Sequence, residues 1–231
     1  MKNIATIFFD IDGTLIDHKG AQNKAIEQIR KKYLPNFSSE KFQKNWLQFT
    51  KKNWLLFEQG KLDFKSQKIA RVQDTWKSFD RSINNKYAEK IINEYVSNYE
   101  LNLTSFPHVF STLRYLYKKK YRLGIISNGN NSQQIKKLKK IKAYNLLEKK
   151  LIIISEKIGY AKPDVRIFSH AQKISGTNPT QIAFFGDDIN NDILPARNLH
   201  WQTILIDYGN VLSHLNFPRI LSFKEIKNVL I

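Results

Sequence analysis

The chain reads as an α/β protein: a Rossmann-like parallel-sheet core interrupted by an inserted α-helical domain. Three observations carry this. An apolar, β-prone run, Ile4 to Phe9, ends abruptly in Asp10-Ile-Asp12-Gly13. From about Phe106 onward, short apolar runs alternate with amphipathic segments, as βαβ crossovers require. Between these two regions, about Asp17 to Asn102, helical periodicity recurs with no strand between its stretches. The expected division is therefore 1–16 with 103–231 for the core and 17–102 for the insertion.

The first strand is continuously apolar rather than alternating, so it is expected to be covered on both faces. Extended backbone would send Asp10 and Asp12 to the same side of the chain. Two such carboxylates repel unless a cation or a shared proton relieves them. Asp and Gly are also ordinary turn residues, so the motif alone does not decide function.

Within the insertion, a helix is expected from about Ala21 to Tyr33, with Ala25, Ile26 and Ile29 on one face and Pro35 ending it. Further helices follow near Ser39 to Phe57, Phe64 to Phe79 and Asn84 to Tyr99. Phe42, Trp46, Phe49 and Leu56 fall near helical spacing. After Phe106 a helix closes on Lys118 to Lys120, cations that suit a helix C-terminus. The later strands are Arg122 to Asn128, Leu151 to Ser155, Ile182 to Gly186 and, last, Thr203 to Asp207. Helices are expected near Ser132 to Lys142, Asp164 to Ile174, Asp192 to Asn198 and Phe223 to Leu230.

The 231 residues carry 38 Lys and Arg against 20 Asp and Glu, a net charge of +18. Such a balance raises nucleic acid as a partner. The lysines are spread over many helices in a chain rich in Lys, Asn and Ile, and compositional bias is the better account. There is no cysteine, which removes disulfides and thiolate metal sites and fits a reducing, cytoplasmic setting. The N-terminal run is broken by Asp10 and reads neither as a signal peptide nor as a membrane span.

Each core strand ends in polar residues. The first delivers Asp10 and Asp12; the second, Ser127-Asn128-Gly129; the fourth, Gly186-Asp187-Asp188 with Asn191-Asp192 beyond; Lys162-Pro163 lies between the third strand and its helix. A parallel sheet gathers such ends at one edge. Two or three carboxylates make a hard oxygen site for Mg²⁺. Ser127 and the amides of Asn128 and Gly129 are donors for phosphoryl oxygens. Lys162 neutralises phosphate or carboxylate, and a carboxylate can itself be the nucleophile. Taken singly, each has a plainer reading: Ser-Asn-Gly as a turn, Lys162 as a surface lysine, Asp187 and Asp188 as helix caps, Asp192 as a solvated acid. Their joint order at successive strand ends points to a phosphate monoester.

In these motifs the chain resembles the haloacid dehalogenase-like hydrolase superfamily. Asp10-Ile-Asp-Gly-Thr matches the first motif, Ser127 the second, Lys162 with Pro163 the third, and Gly186-Asp187 through Asp192 the fourth. The resemblance implies Asp10 as nucleophile and Asp12 as general acid, then base. It implies Ser127 and Lys162 as phosphoryl holders. Mg²⁺ would be held by Asp10, the backbone carbonyl of Asp12 and Asp187, with Asp192 in support and Asp188 a less certain member. Asp12 would need a tuned pKa; the dehalogenase branch lacks an aspartate there.

The insertion resembles the helical cap of the subfamily that carries it between the first two motifs, and loosely the pyrimidine 5′-nucleotidase branch. His108 stands where relatives often have glycine. A cap would exclude water and read the leaving group. Trp54 or Phe57 would stack on a base and Arg71 meet a charged group, although packing of the cap core explains such aromatics as well. The resulting expectation is a Mg²⁺-dependent phosphatase of a small phosphorylated metabolite, with a nucleoside 5′-monophosphate as the leading substrate. A sugar-phosphate phosphatase or phosphomutase is the alternative. A nucleic-acid-binding protein or end-phosphatase using the basic surface comes after that.

Overall fold

A computed structural model describes residues 1–230, the side chain of Glu58 apart. The first strand, β1 (Thr6–Phe9), lies inside a six-stranded sheet with β2 (Arg122–Ser127), β3 (Ile152–Ile154), β4 (Ile182–Gly186), β5 (Gln202–Ile206) and β6 (Arg219–Ile220). Their order is β3-β2-β1-β4-β5-β6, and every neighbouring pair is parallel. The chain winds outward from β1 first in one direction and then in the other. The β1–β4 boundary is therefore the switch point at whose carboxyl edge open α/β sheets bind ligands.

Phe8 and Phe9 show why the strand reads as apolar throughout. Both are fully buried, on opposite faces. Phe8 stacks on Trp201 at 5.5 Å, in a cluster with Ile167, Phe168 and Ala171. Phe9 stacks on Phe185 at 5.5 Å and meets Phe223 at 5.6 Å. Each such ring contributes about 1.5–3 kcal/mol by leaving water.

The chain forms two compact units: Met1–His18 with the residues from Thr104 onward, and Lys19–Leu103. Four helices belong to the second unit for most or all of their length: α1 (His18–Tyr33), α2 (Ser39–Glu58), α3 (Phe64–Lys77) and α4 (Asn85–Asn102). The starts of α2, α3 and α4 are capped by side chains of Ser38, Asp63 and Asn84, each satisfying amides that a helix start leaves unpaired. Phe42, Trp46, Trp76, Phe79 and Tyr95 pack with Ala25, Ile26 and Ile29 into this unit's own core.

The first unit adds α5 (Val109–Lys118), α6 (Asn131–Lys140), α7 (Ser155–Ile158), α8 (Val165–Ser175), α9 (Leu194–Asn198) and α10 (Ile226–Val229). No helix among the described residues is long and apolar enough to cross a membrane. His108, just before α5, has φ 66°, the left-handed region that glycine enters most freely.

Three local expectations need correction. Thr203 to Asp207 is not the last strand, because Arg219–Ile220 adds a sixth by pairing with Leu205 and Ile206. Two residues carry no periodicity, so this strand exists only through its partner. The final helix is divided between a 3₁₀ turn at Phe223–Glu225 and α10. The helix after β4 opens with a π turn, Ile189–Ile193, before α9.

Candidate active site

The strand β1 ends at Phe9, Asp10 N still donates to Phe185 O of β4 at 3.0 Å, and the chain then turns. Gly13 N donates to Ile16 O and both Leu15 N and Ile16 N donate to Ile11 O. Gly13 has φ +93°, and a Cβ there would lie 2.2 Å from a carboxylate oxygen of Asp187. Glycine is thus required both by conformation and by the approach of Asp187. Asp10 and Asp12 are the two carboxylates at this end of the strand. Each is relieved by a different lysine.

Asp10 is buried and meets Lys162, whose Nζ lies 2.6 Å from Asp10 Oδ1 and 2.5 Å from Asp192 Oδ1. Carboxylate oxygens of Asp10, Asp187 and Asp192 lie within 4.8 Å of one another. Burial pushes the Asp10 carboxyl up to about 8; Lys162 opposes this, and Asp192 and Asp187 add to it. Burial alone would lower Lys162, but the two carboxylates raise it above the ordinary lysine value, so the ammonium stays charged. One ammonium faces three carboxylates. Three carboxylate oxygens this close together are hard ligands of the kind that a divalent cation takes. Asp10, Asp187 and Asp192 therefore fit such an ion.

Asp192 is only 1% exposed, not a solvated acid. Gly186 makes room for it: a Cβ there would meet Asp192 Oδ2 at 2.3 Å. Asp188 takes the plainer of its two readings. Its Oδ1 accepts from the amides of Asn190 and Asn191 at 2.8 and 2.9 Å, capping the π turn. Thr14 Oγ1 donates to Asp187 Oδ1 at 3.3 Å.

Asp12 has a different set of partners. Lys137 Nζ reaches its two oxygens at 2.7 and 2.6 Å. Gln134 Nε2 lies 3.0 Å from Oδ2, and His18 Nδ1 lies 3.6 Å from Oδ1. Burial acts to raise the Asp12 carboxyl, but Lys137 and His18 outweigh it and hold it below the usual carboxylate range. Sequence reasoning missed Gln134 and Lys137. They are three residues apart on α6, the spacing that puts two side chains on one helix face. That spacing, in the first turns after Ser-Asn-Gly, was the available signal.

Ser127 is buried at the end of β2 and accepts from Gln134 Nε2 at 3.1 Å. The Asn128 side chain holds the backbone of Lys162, accepting from its amide at 2.7 Å and donating to its carbonyl at 2.8 Å. The Lys162–Pro163 peptide bond is cis. The amide of Gly129 is not an open donor, because Ser155 at the start of α7 accepts from it at 3.0 Å.

Trp54 and Arg71 belong to the helical unit. Trp54 is 38% exposed and packs against Phe57 at 5.2 Å. Arg71 is buried inside the bundle, its guanidinium carbon 5.3 Å from the Trp46 ring and 5.0 Å from the Tyr95 ring.

Residues 4–200 match the family model of the haloacid dehalogenase-like hydrolases. The chain belongs to this family. Among its relatives, a glyceraldehyde 3-phosphate phosphatase of Methanothermobacter thermautotrophicus is 36% identical over 105 residues, covering 46% of each chain. That of Pyrococcus furiosus is 29% identical over 90% of this chain and 83% of the relative. The pyrimidine 5′-nucleotidase YjjG of Escherichia coli is 27% identical over 83% of this chain and 81% of the relative. Among solved structures, the HAD-hydrolase YfnB of Bacillus subtilis, bound to magnesium, superposes with a TM-score of 0.82 over 99% of both chains. At 19% identity that likeness shows the haloacid dehalogenase-like fold.

Proposed function

We propose that this hydrolase is a Mg²⁺-dependent phosphatase that cleaves a small phosphate monoester through an aspartyl-phosphate on Asp10. The observation that carries the reading is Lys162 Nζ, 2.6 Å from Asp10 and 2.5 Å from Asp192, with Asp187 in the same carboxylate group.

Lys162 binds one oxygen of Asp10, so the other oxygen is the one that attacks phosphorus. The P–O bond to the leaving group breaks, its electron pair goes to the leaving oxygen, and Asp12 supplies the proton, which it holds only once the negative charge of the arriving phosphate offsets the pull of Lys137 and His18 that keeps it ionised. A water then attacks the phosphoryl group, Asp12 takes the water's proton, and the P–O bond to Asp10 breaks to restore the carboxylate. Asp10, Asp187, Asp192 and the backbone carbonyl of Asp12 would hold Mg²⁺, which supplies charge for the phosphoryl oxygens when bound. Ser127 and Lys162 hold and neutralise the phosphoryl group, and Asn128 fixes Lys162. General acid–base catalysis by a positioned carboxyl contributes about 10²–10⁴-fold.

The helical unit has the role of the cap in this reading. Likeness to YjjG supports a nucleoside 5′-monophosphate. Likeness to the archaeal phosphatases over most of the chain supports a triose phosphate. The test is phosphate release, with Mg²⁺ and with chelator, from pyrimidine and purine monophosphates, glyceraldehyde 3-phosphate, hexose phosphates and an end-phosphorylated oligonucleotide. Metal-dependent release that Asp10→Asn abolishes, in a variant that still folds, is the expected result. Release that survives Asp10→Asn overturns the nucleophile; conversion to an isomer without phosphate release makes the protein a mutase.

A further inference from the structure

One side chain touches both the proton-moving and the phosphoryl-holding groups. Gln134 on α6 is 3% exposed. Its Nε2 lies 3.0 Å from Asp12 Oδ2, 3.1 Å from Ser127 Oγ and 2.7 Å from Asn128 O. All four residues belong to the first compact unit. Neither the ionised Asp12 carboxylate nor the Asn128 carbonyl can donate. The amide is therefore fixed with its nitrogen toward them and its oxygen away. Gln134 Oε1 is buried without a partner among the described residues. A buried acceptor that finds no donor is costly, so what this side chain contributes lies in Nε2.

The fold makes room for that nitrogen. Gly129 has φ +127°, and a Cβ there would lie 3.1 Å from Gln134 Nε2. The backbone amide of Gln134 donates to the carbonyl of Asn130, the residue that caps α6. Nε2 carries two protons and faces three acceptors. When Ser127 Oγ accepts one, its own hydroxyl proton is left to donate, and its contact with Asn128 O is long at 3.4 Å. A phosphoryl oxygen can take that proton. When Asp12 Oδ2 accepts the other, the carboxyl is held in place for proton transfer.

We propose that Gln134 is a positioning residue that sets the Asp12 carboxyl against the Ser127 hydroxyl, so that the proton and the phosphoryl group are held in register. This rests on the phosphatase reading above. Gln134 acts through Asp12 and Ser127 and adds no chemical step of its own.

The test compares the unmutated protein with Gln134→Met, which keeps the length and removes both donors. A second variant, Gln134→Asn, keeps the amide but draws it back by one methylene. Thermal melts confirm that each folds. With Mg²⁺ present, kcat/KM is measured on p-nitrophenyl, phenyl and ethyl phosphate, and the inhibition constant of inorganic phosphate is read alongside. Both variants should lose more on phenyl and ethyl phosphate than on p-nitrophenyl phosphate, whose leaving group departs without a proton. The extra loss should be roughly three- to tenfold, the worth of one hydrogen bond. Inhibition by phosphate should weaken in Gln134→Met, and in a Ser127→Ala background that weakening should vanish. Absence of either effect, in a protein that releases phosphate, overturns the proposal; a uniform loss on all three esters would reduce Gln134 to packing. If the unmutated protein releases no phosphate from these esters or from the panel above, the phosphatase reading falls and takes the proposal with it.

Discussion

Lys137 grips Asp12 with both carboxylate oxygens, 2.7 and 2.6 Å from one ammonium. The lysine side chain is 11% exposed, so the pair sits where water screens it little. Lys137 lies 125 residues from Asp12 and reaches it only because α6 follows the strand beside β1. The same helix brings Gln134, which lies within hydrogen-bond distance of Asp12, Ser127 and the Asn128 carbonyl.

Lys137→Met should release Asp12 from its fixed position. We expect kcat for an alkyl phosphate to fall about tenfold, a part of what a positioned general acid supplies. With p-nitrophenyl phosphate the loss should be smaller, because that leaving group departs without a proton. Equal losses on both substrates would show that Lys137 does not act through Asp12.

Lys162→Met leaves Asp10 and Asp192 buried without their shared cation. Removing one member of a buried ion pair costs about 3–5 kcal/mol. A large drop in thermal midpoint without metal is therefore expected, and millimolar Mg²⁺ should recover part of it by binding the freed carboxylates. Turnover should be lost. A melt indifferent to both the substitution and the ion would contradict this charge balance.

Gly186→Ala adds a methyl that would sit 2.3 Å from Asp192 Oδ2. The strand does not need glycine's conformational freedom there, so the effect is steric. Overpacking of this kind costs about 1–3 kcal/mol. It also displaces a carboxylate of the metal-competent group, so the Mg²⁺ concentration for half-maximal activity should rise. Gly176→Ala is the wrong control, because Gly176 has φ +64°. Ala183→Gly, in the same strand, controls for general weakening of β4.

Glu27 gives a pH dependence independent of the site. Hydrogen bonds from Arg30, at 2.9 and 2.7 Å, and from Ser39, at 2.7 Å, pull its carboxyl from 4.5 to about 2. A folded-state value below the unfolded one means that the stabilisation is complete above about pH 4.5 and is lost as pH falls through about 2. Glu27→Gln should lower the melting midpoint at neutral pH, by the equivalent of about 1 kcal/mol or less for a surface network. The gap between the two proteins should close toward pH 2. A gap constant across that range would mean that the carboxylate charge is not what stabilises.

The order of strands and helices was legible in the sequence because apolar periodicity is a local property. The fully buried Phe8, Phe9, Phe184 and Phe185 read as unbroken apolar runs because both sheet faces are covered. Asp10, Lys162, Asp187 and Asp192 were legible as candidates because parallel strands send their ends to one edge. What no local pattern shows is which cation each carboxylate meets: Asp10 is paired with Lys162 and Asp12 with Lys137. Gly129's amide, expected to be open, is taken by Ser155, a partner 26 residues away.

Spacing and residue type suffice for the sheet core, the helical insertion and the identity of the charged groups at the strand ends. Which charges meet is set by packing in three dimensions. Lys162 joins Asp10 across 152 residues, Lys137 takes Asp12, and Asp188 caps its own turn. Pairing energies depend on separations of a few ångströms and on how much water is excluded. Both are set when distant segments pack together, and neither is written in any stretch of the chain.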